Sequence, residues 1–520
     1  MADSALKLRS ASLYSLYVLL LLLIAYLLNQ LDRYTLAIVT QPMAQEIHYG
    51  DHGCLDNTEN VTHKENSTVT CKKILNETEC LLATDYYEDE LCKWDYNGQG
   101  FEYQIVAGPV FILIYTFTGI FLGFAADQYN RKNLLAFCLM FWSLMTLLTG
   151  FVKEYWQLVL LRFGLGFGEA GCTPFAASLI ADYFDEALRG SALGVYNWGI
   201  YTGYSLSYAL GDFITRANIL GQGWRWVFII SGIPGLVFGI VIFLTVKEPE
   251  RRLNQGEMKK NEDGISLREK LHTTIRPFLS PSMILLCLAG SIRNAGGYVW
   301  AYNTHPYFEA IGRPTDEIGT YMSVIPLVGG SIGVVLGGFI SDVIVKRRGP
   351  TARVLVLVAS QVLAAPFAAG ALFLPAPWAY ISLIPSNIIG EMWVGVTLAV
   401  VVELVPSKVR TSAVAVYLFI ITNIGGNIPL LVPPLQTAFE VMTDDKAESL
   451  RYALYILFPG LYVAGAFLFL LTLCMLKRDI RKVENYNYVQ LEGSQHDDDE
   501  DEEEDESTGI IGDRESKRTS

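Results

Sequence analysis

The chain is built mostly of long apolar blocks separated by short polar ones. Six blocks, 13–40, 103–126, 133–151, 156–180, 192–214 and 224–246, precede a polar gap, and six follow it, 283–307, 319–341, 354–374, 378–404, 412–431 and 452–476. Each is close to the ~20 residues a helix needs to cross a ~30 Å hydrocarbon core. The pattern predicts an all-α polytopic membrane protein with twelve transmembrane helices. The first block is too long for a signal peptide, carries Asp32 and Arg33 and lacks a small-residue cleavage site, so it predicts a retained span.

Composition agrees. Hydrophobic residues make up 51% of the 520 and charged residues 18%, a balance that excludes an ordinary soluble globule. The net charge of −14 is concentrated in DDDEDEEEDE, 497–506, part of an acidic tail (477–520) that reads as disordered. Basic residues fall on alternate loops: Lys7 and Arg9, Arg131 and Lys132, the linker 247–281, Lys346 to Arg348, Lys408 and Arg410, and Lys477 to Lys482. Positive charge marks cytoplasmic loops, so both termini are expected on that side.

The opposite side is marked independently. Loop 41–102 holds Cys54, Cys71, Cys80 and Cys92, with glycosylation sequons at Asn60, Asn66 and Asn76. Disulfides and N-glycans both need a lumenal or extracellular face. Four cysteines imply two disulfides, with three pairings open. Cys138, Cys172, Cys287 and Cys474 lie in spans and read as packing residues.

The two sets of six echo each other. GFAADQYNRK at 123–132 matches GFISDVIVKR at 338–347, and GEAGCTPFAASLIADYFDEALRGSALGVY at 168–196 matches GEMWVGVTLAVVVELVPSKVRTSAVAVY at 390–417. In both copies an acid, Asp182 or Glu403, stands seven residues before an arginine, Arg189 or Arg410. Tandem halves of this kind build rocking-bundle transporters with a site near the midplane. The expected division is an N-terminal bundle (1–246), a linker (247–281), a C-terminal bundle (282–476) and the tail.

GxxxDxxxRK after the second span, with Arg162 and GLGFGEAG in the fourth, resembles the major facilitator superfamily. Within it, LNQLDRYTLA resembles the spinster-like lysolipid and sphingolipid transporters and is similar to the anion:cation symporters that carry sugar acids. The resemblance implies the major facilitator fold, twelve helices in two six-helix pseudo-repeats. It also implies a gating lock on the linker side from Gly123, Asp127 and Arg131, with Asp342 and Arg347 as a weaker copy. Neither subgroup typically has so large a glycosylated first loop.

Charges at mid-bilayer are costly and usually functional. Asp32 and Arg33 are adjacent, so they point about 100° apart and cannot pair with each other. At 1.5 Å per residue from Pro42 and Tyr155, Asp32 and Arg33 lie about 14 Å inward, Arg162 about 10 Å and Glu169 about 21 Å. Arg33 is therefore expected to reach Glu169 and to leave Asp32 facing a cavity. Burial and a neighbouring arginine pull a carboxyl in opposite directions, which suits Asp32 and Glu169 to proton coupling. A guanidinium alternating between Glu169 and an anionic cargo suits Arg33 to recognition. A static ion pair fixing helix register is the competing reading.

In the seventh span Gly296 and Gly297 replace the charge pair and predict a flexible or broken helix, with Arg293 as a second anion contact and His305 near the outer interface. Tyr201, Tyr204 and Tyr208 form a helical stripe, while Glu391, Asn423 and Asn427 are further candidates. No phosphate-binding loop, catalytic triad or metal-ligand cluster occurs, so neither an ATP-driven pump nor an enzyme is predicted, and no cofactor or nucleic-acid partner. Lipid or small-molecule cargo and protons are the expected partners, and a non-transporting sensor is the remaining alternative. YVQL at Tyr488–Leu491 and ESTGII fit endolysosomal sorting signals read by adaptors, against a plasma-membrane location.

Overall fold

The computed structural model describes residues 12–56, 71, 74, 76–83, 90–184, 186–249, 275–349, 351–405, 410–443 and 445–482. Asn60, Asn66, most of the linker, the tail from 483 onward and the sorting motifs lie outside these, while 477–482, expected in the disordered tail, continue the last helix.

The first apolar block folds as one helix, α1 (Leu13–Ile47). Ser12 caps it by accepting from the Ser15 amide at 3.0 Å, and His48 ends it in the left-handed region at φ 54°. A polar excursion follows. It contains β1 (His52–Asp56), the short α2 (Glu77–Leu81) and β2 (Cys92–Tyr96), with the strands paired antiparallel from His52–Tyr96 to Asp56–Cys92. Of the three possible pairings, Cys54–Cys80 and Cys71–Cys92 are formed.

The first half continues with α3 (Gly100–Ala107), α4 (Pro109–Gln128), α5 (Arg131–Thr149), α6 (Tyr155–Glu169), α7 (Cys172–Tyr183), α8 (Glu186–Ala217) and α9 (Gly223–Thr245). The fourth span breaks between α6 and α7 because Pro174 cannot donate to the Ala170 carbonyl.

The second half comprises α10 (Pro281–Ala310), α11 (Thr315–Arg348), α12 (Ala352–Phe373), α13 (Trp378–Gly390), α14 (Trp393–Glu403), α15 (Arg410–Asn427), α16 (Val432–Thr443) and α17 (Lys446–Lys482). Its tenth span breaks at Glu391, the counterpart of Glu169. Nine of the described segments are long and apolar enough to cross a membrane. Segments 155–183, 186–217 and 281–310, interrupted or more polar, complete twelve.

Equivalent helices pack alike, α1 along α8 and α10 along α15. Outward faces carry exposed Phe121, Leu160, Ile240, Leu363 and Phe467, the inverse of a water-soluble surface.

The expected break at Gly296–Gly297 is absent, since α10 is continuous. A Cβ at Gly296 would lie 3.1 Å from the Tyr462 ring and 3.3 Å from the Phe458 carbonyl. Gly296 admits α17, whereas Gly297 is half-buried with only an Arg293 nitrogen, at 3.5 Å, near a Cβ.

The two ends of the bundle differ. At the disulfide end and mid-depth the halves interlock: a Cβ on Gly319 would stand 2.5 Å from an Asp212 carboxylate oxygen, and one on Gly330 would enter the Tyr201 ring. Asn423 donates to Thr116 at 2.7 Å, Gln104 to Asn303 at 2.8 Å and the Tyr103 hydroxyl to the Tyr302 carbonyl at 2.6 Å, all across the halves. Toward the linker end, Gly123 and Gly338 face open space, with nothing within 4 Å of a Cβ. The Gly123 face of the expected lock is therefore unpacked in this arrangement.

Candidate functional site

Two glycines bring the fourth span against its neighbours. A Cβ at Gly166 would sit 2.6 Å from the Phe111 carbonyl, and one at Gly168 would sit 2.8 Å from Trp142 Cβ. Only glycine allows α6 so near α4 and α5. That proximity delivers Glu169, at the end of α6, to α1.

Arg33 Nη2 donates to Glu169 Oε2 at 3.1 Å, with the two side chains 7% and 0% exposed. The guanidinium lies 4.6 Å from the Tyr115 ring and 4.9 Å from the Phe111 ring, so the charge is held against aromatic faces. Tyr298 of the second half faces the same guanidinium. Among the described residues Arg162 takes no side-chain carboxylate; it donates to the carbonyls of Arg33, Val106 and Asp32 at 3.3, 3.4 and 3.5 Å. It clamps α1 while adding positive charge near both acids.

Asp32 does not face a cavity. It is 1% exposed, and neither carboxylate oxygen has a hydrogen-bond partner among the described residues. The Thr146 hydroxyl approaches it from α5 but already donates to the Trp142 carbonyl at 3.2 Å. The cause is helix rotation: with Arg33 turned toward α4 and α10, its neighbour must turn toward α5. Glu169 Oε1 is likewise buried without a partner. The acids are close enough to repel each other, so the cluster holds two desolvated carboxyl groups and two arginines.

The second half repeats the arrangement with different parts. Arg293 on α10 donates to the Gly390 carbonyl at 2.7 Å and to Glu391 Oε1 at 3.2 Å. It stacks 4.1 Å from the Tyr462 ring and 5.2 Å from Trp393. Tyr201 crosses from α8 toward Glu391. Tyr204 packs edge-on to Tyr34 at 4.6 Å, and Tyr208 lies 6.3 Å from His305. Tyr201 and Tyr208 therefore face the other half, while Tyr204 packs on Tyr34 of its own half and also meets Thr304 of the other. His305 is buried between the halves, not interfacial, with Nδ1 3.5 Å from Glu309. Asn427 donates to the Asn423 carbonyl at 2.6 Å.

At the linker end Arg131 joins Asp182 at 2.5 Å and Glu248 at 2.7 Å. The Asp127 side chain lies outside the described residues. In the copy, Asp342 pairs at 2.9 Å with Arg353, not with Arg347, which is exposed; Arg353 also meets Glu403 at 2.8 Å. The ion pairs described at this end all stay within one half. Arg353 and Tyr115 were not singled out from sequence as site residues. The signal for Arg353 is Glu403, the repeat partner of Asp182, which needs an arginine nearby.

The sequence model of the Major Facilitator Superfamily matches residues 22–428. Among relatives, "Protein spinster homolog 1" of Xenopus tropicalis is 28% identical over 419 residues, 75% of this chain and 76% of that protein. "Protein spinster" of Drosophila melanogaster is 27% identical over 51% of this chain, which spans 44% of that protein's length. "Sphingosine-1-phosphate transporter SPNS2" of Danio rerio is 35% identical over 27% of this chain and 28% of its own. A solved bacterial homolog of the human lysosomal transporter Spinster, inward-facing and unoccupied, superposes with a TM-score of 0.66 at 22% identity, covering 92% of this chain and 99% of that one. Matched along most of its spans, the chain belongs to the Major Facilitator Superfamily of membrane transporters.

Proposed function

We propose that this transporter moves an amphiphilic organic anion, of the lysolipid or sphingoid-phosphate class, by proton-coupled alternating access. The observation that carries the reading is Arg33: one buried guanidinium, backed by Tyr115 and Phe111 and faced by Tyr298, that donates to the Glu169 carboxylate at 3.1 Å. An incoming phosphate or carboxylate competes for that guanidinium with bidentate geometry. When Arg33 turns to the cargo, Glu169 loses its counter-charge and takes a proton, so cargo and proton binding become linked. Asp32, buried with only the Thr146 hydroxyl approaching its oxygens, is the second proton site. Arg293 is the second anion contact, released from Glu391 in the same way.

The linker end is the cytoplasmic end in this reading, supported by the basic loops. The two disulfides belong to an oxidising face. Asn76 is exposed on that face and open to glycosylation. The arrangement described is then inward-facing. The Danio rerio relative named as a sphingosine-1-phosphate transporter supports the lipid class. The membrane is endolysosomal or plasma, with Tyr488–Leu491 as the adaptor signal for the former.

The test is uptake into proteoliposomes under an imposed pH gradient, comparing a lysolipid and a sphingoid phosphate with a hexuronate. Gradient-driven lipid movement, lost in Asp32→Asn and Glu169→Gln, is the expected result. Hexuronate transport alone would move the protein to the sugar-acid class. Undiminished coupling in both variants would remove these acids from the mechanism.

A further inference from the structure

The excursion after α1 is fixed to the first half at its roots. Thr40 Oγ1 donates to the Gly98 carbonyl at 2.8 Å, and the Tyr49 hydroxyl lies 2.8 Å from Thr40 Oγ1. Glu102 accepts from the Gly50 amide at 2.6 Å, while Tyr155 donates to the Glu102 carbonyl at 2.9 Å. Two disulfides, with Leu91 buried among them and Trp94 packed alongside, stiffen the hairpin. It therefore moves with the first half.

Its far side meets the second half. Lys446, the first residue of α17, donates from Nζ to the His52 carbonyl at 3.0 Å and stands 5.7 Å from the centre of the Trp94 ring. His52 and Trp94 belong to the two strands of the hairpin. Asp51, at its foot, adds an opposite charge within range of Lys446. The base of α17 is firm, since Asp445 accepts from the Ala447 amide at 2.8 Å. A cation at a helix N-terminus works against the macrodipole, so Lys446 does not serve its own helix. Gln99, just past the hairpin, adds a long contact to the Pro306 carbonyl of α10 at 3.5 Å.

We propose that the disulfide-bonded hairpin is a strap across the disulfide end, fastened to the second half by Lys446, and that it biases the transporter toward the state closed at that end. The inference rests on the alternating-access reading above. Rocking the halves apart at this end separates α17 from the hairpin and breaks the contact. The strap thus acts on the equilibrium between states without touching cargo.

Hydrogen–deuterium exchange on the full chain in lipid nanodiscs, without cargo, reads both ends at once. In Lys446→Ala, amides at the disulfide ends of α3 and α11 should exchange faster, while the linker-side ends of α4 and α11 exchange more slowly. The expected shift in the ratio of states is roughly two- to fivefold, the scale of one partly exposed charged contact. Lys446→Arg should behave as the parent chain. Reducing both disulfides should shift the ratio in the same direction as Lys446→Ala. Exchange rising at both ends would mean loosening, and would overturn the proposal, as would no change in Lys446→Ala or after reduction. This readout needs no transport, so failure to find cargo and failure of the strap are distinguishable.

Discussion

Glu169 and Glu391 occupy the same position in the two sequence repeats, and each closes an ion pair with an arginine from the first helix of its half, at 3.1 and 3.2 Å. The arginines are not equivalent. Under the alignment of the first and seventh spans, Arg33 corresponds to Gly297, so Arg293 comes from one helical turn earlier. Both acids stand where their span breaks, at the end of α6 and just after α13. A carboxylate at a helix C-terminus opposes the dipole there, and the arginine offsets that cost in each half.

The pairs should differ in what they contribute. Removing one partner of a fully buried pair costs about 3–5 kcal/mol because the other charge stays behind. Glu169→Gln should approach that range, measured by chaotrope unfolding in detergent. Glu391 is 24% exposed, so water can replace it at Arg293 and Glu391→Gln should cost less. The Arg33→Gln/Glu169→Gln double variant should lose less than the sum of its singles. Additive losses would mean the pair is not coupled.

Parts of this site were legible in the sequence because they depend on position along a helix. Counting rises from Pro42 and Tyr155 brings Arg33 within reach of Glu169, and the ion pair is there. The Asp32 orientation depends on how α1 is rotated, which α4, α5 and α10 decide together. The Gly296–Gly297 pair is ambiguous for the same reason: a double glycine can break a helix or admit a neighbour, and α17 is 150 residues away in the chain. The lock in the second half was misassigned because Arg353 lies beyond the turn, outside the repeated motif that contains Arg347.

The linker-end networks should also be unequal. Arg131 is 4% exposed between Asp182 and Glu248, whereas Arg353 is 17% exposed beside Glu403 and Asp342. Arg131→Gln leaves two acids facing each other with little water, and a loss of about 2–4 kcal/mol is expected for an uncompensated, largely buried charge. Arg353→Gln should cost about half as much or less, since Asp342 is 64% exposed. Thermal unfolding of the two variants in one detergent tests the order; the reverse order would contradict the burial argument.

The hairpin should depend on its cross-links. Opening Cys54–Cys80, which spans 26 residues, releases about 3.5 kcal/mol of loop-closure restraint in the chain-entropy account. Both disulfides run through the small apolar cluster around Leu91. Cys54→Ala/Cys80→Ala should make segment 76–96 protease-sensitive while the spans stay protected. In cells, Asn76→Gln should remove one endoglycosidase-sensitive mass step, because Asn76 is exposed. An unchanged mass would mean that this sequon is unused.

Glycine substitutions should separate the two conformational states. Gly330→Ala places a methyl into the Tyr201 ring across the halves, whereas Gly338→Ala meets nothing within 4 Å. Both lie in α11, so the helix-propensity gain of up to about 1 kcal/mol is shared and cancels in the comparison. Gly330→Ala should therefore push the halves apart at mid-depth and toward the disulfide end, displacing the equilibrium from the arrangement described. Gly338→Ala should leave that arrangement intact and penalise the opposite state, in which the linker end closes around the open glycines. Both variants should transport more slowly for opposite reasons. Exchange at the linker end should fall in Gly330→Ala and rise in Gly338→Ala. If the two variants moved exchange in the same direction, rocking about a central site could not be the motion this protein uses.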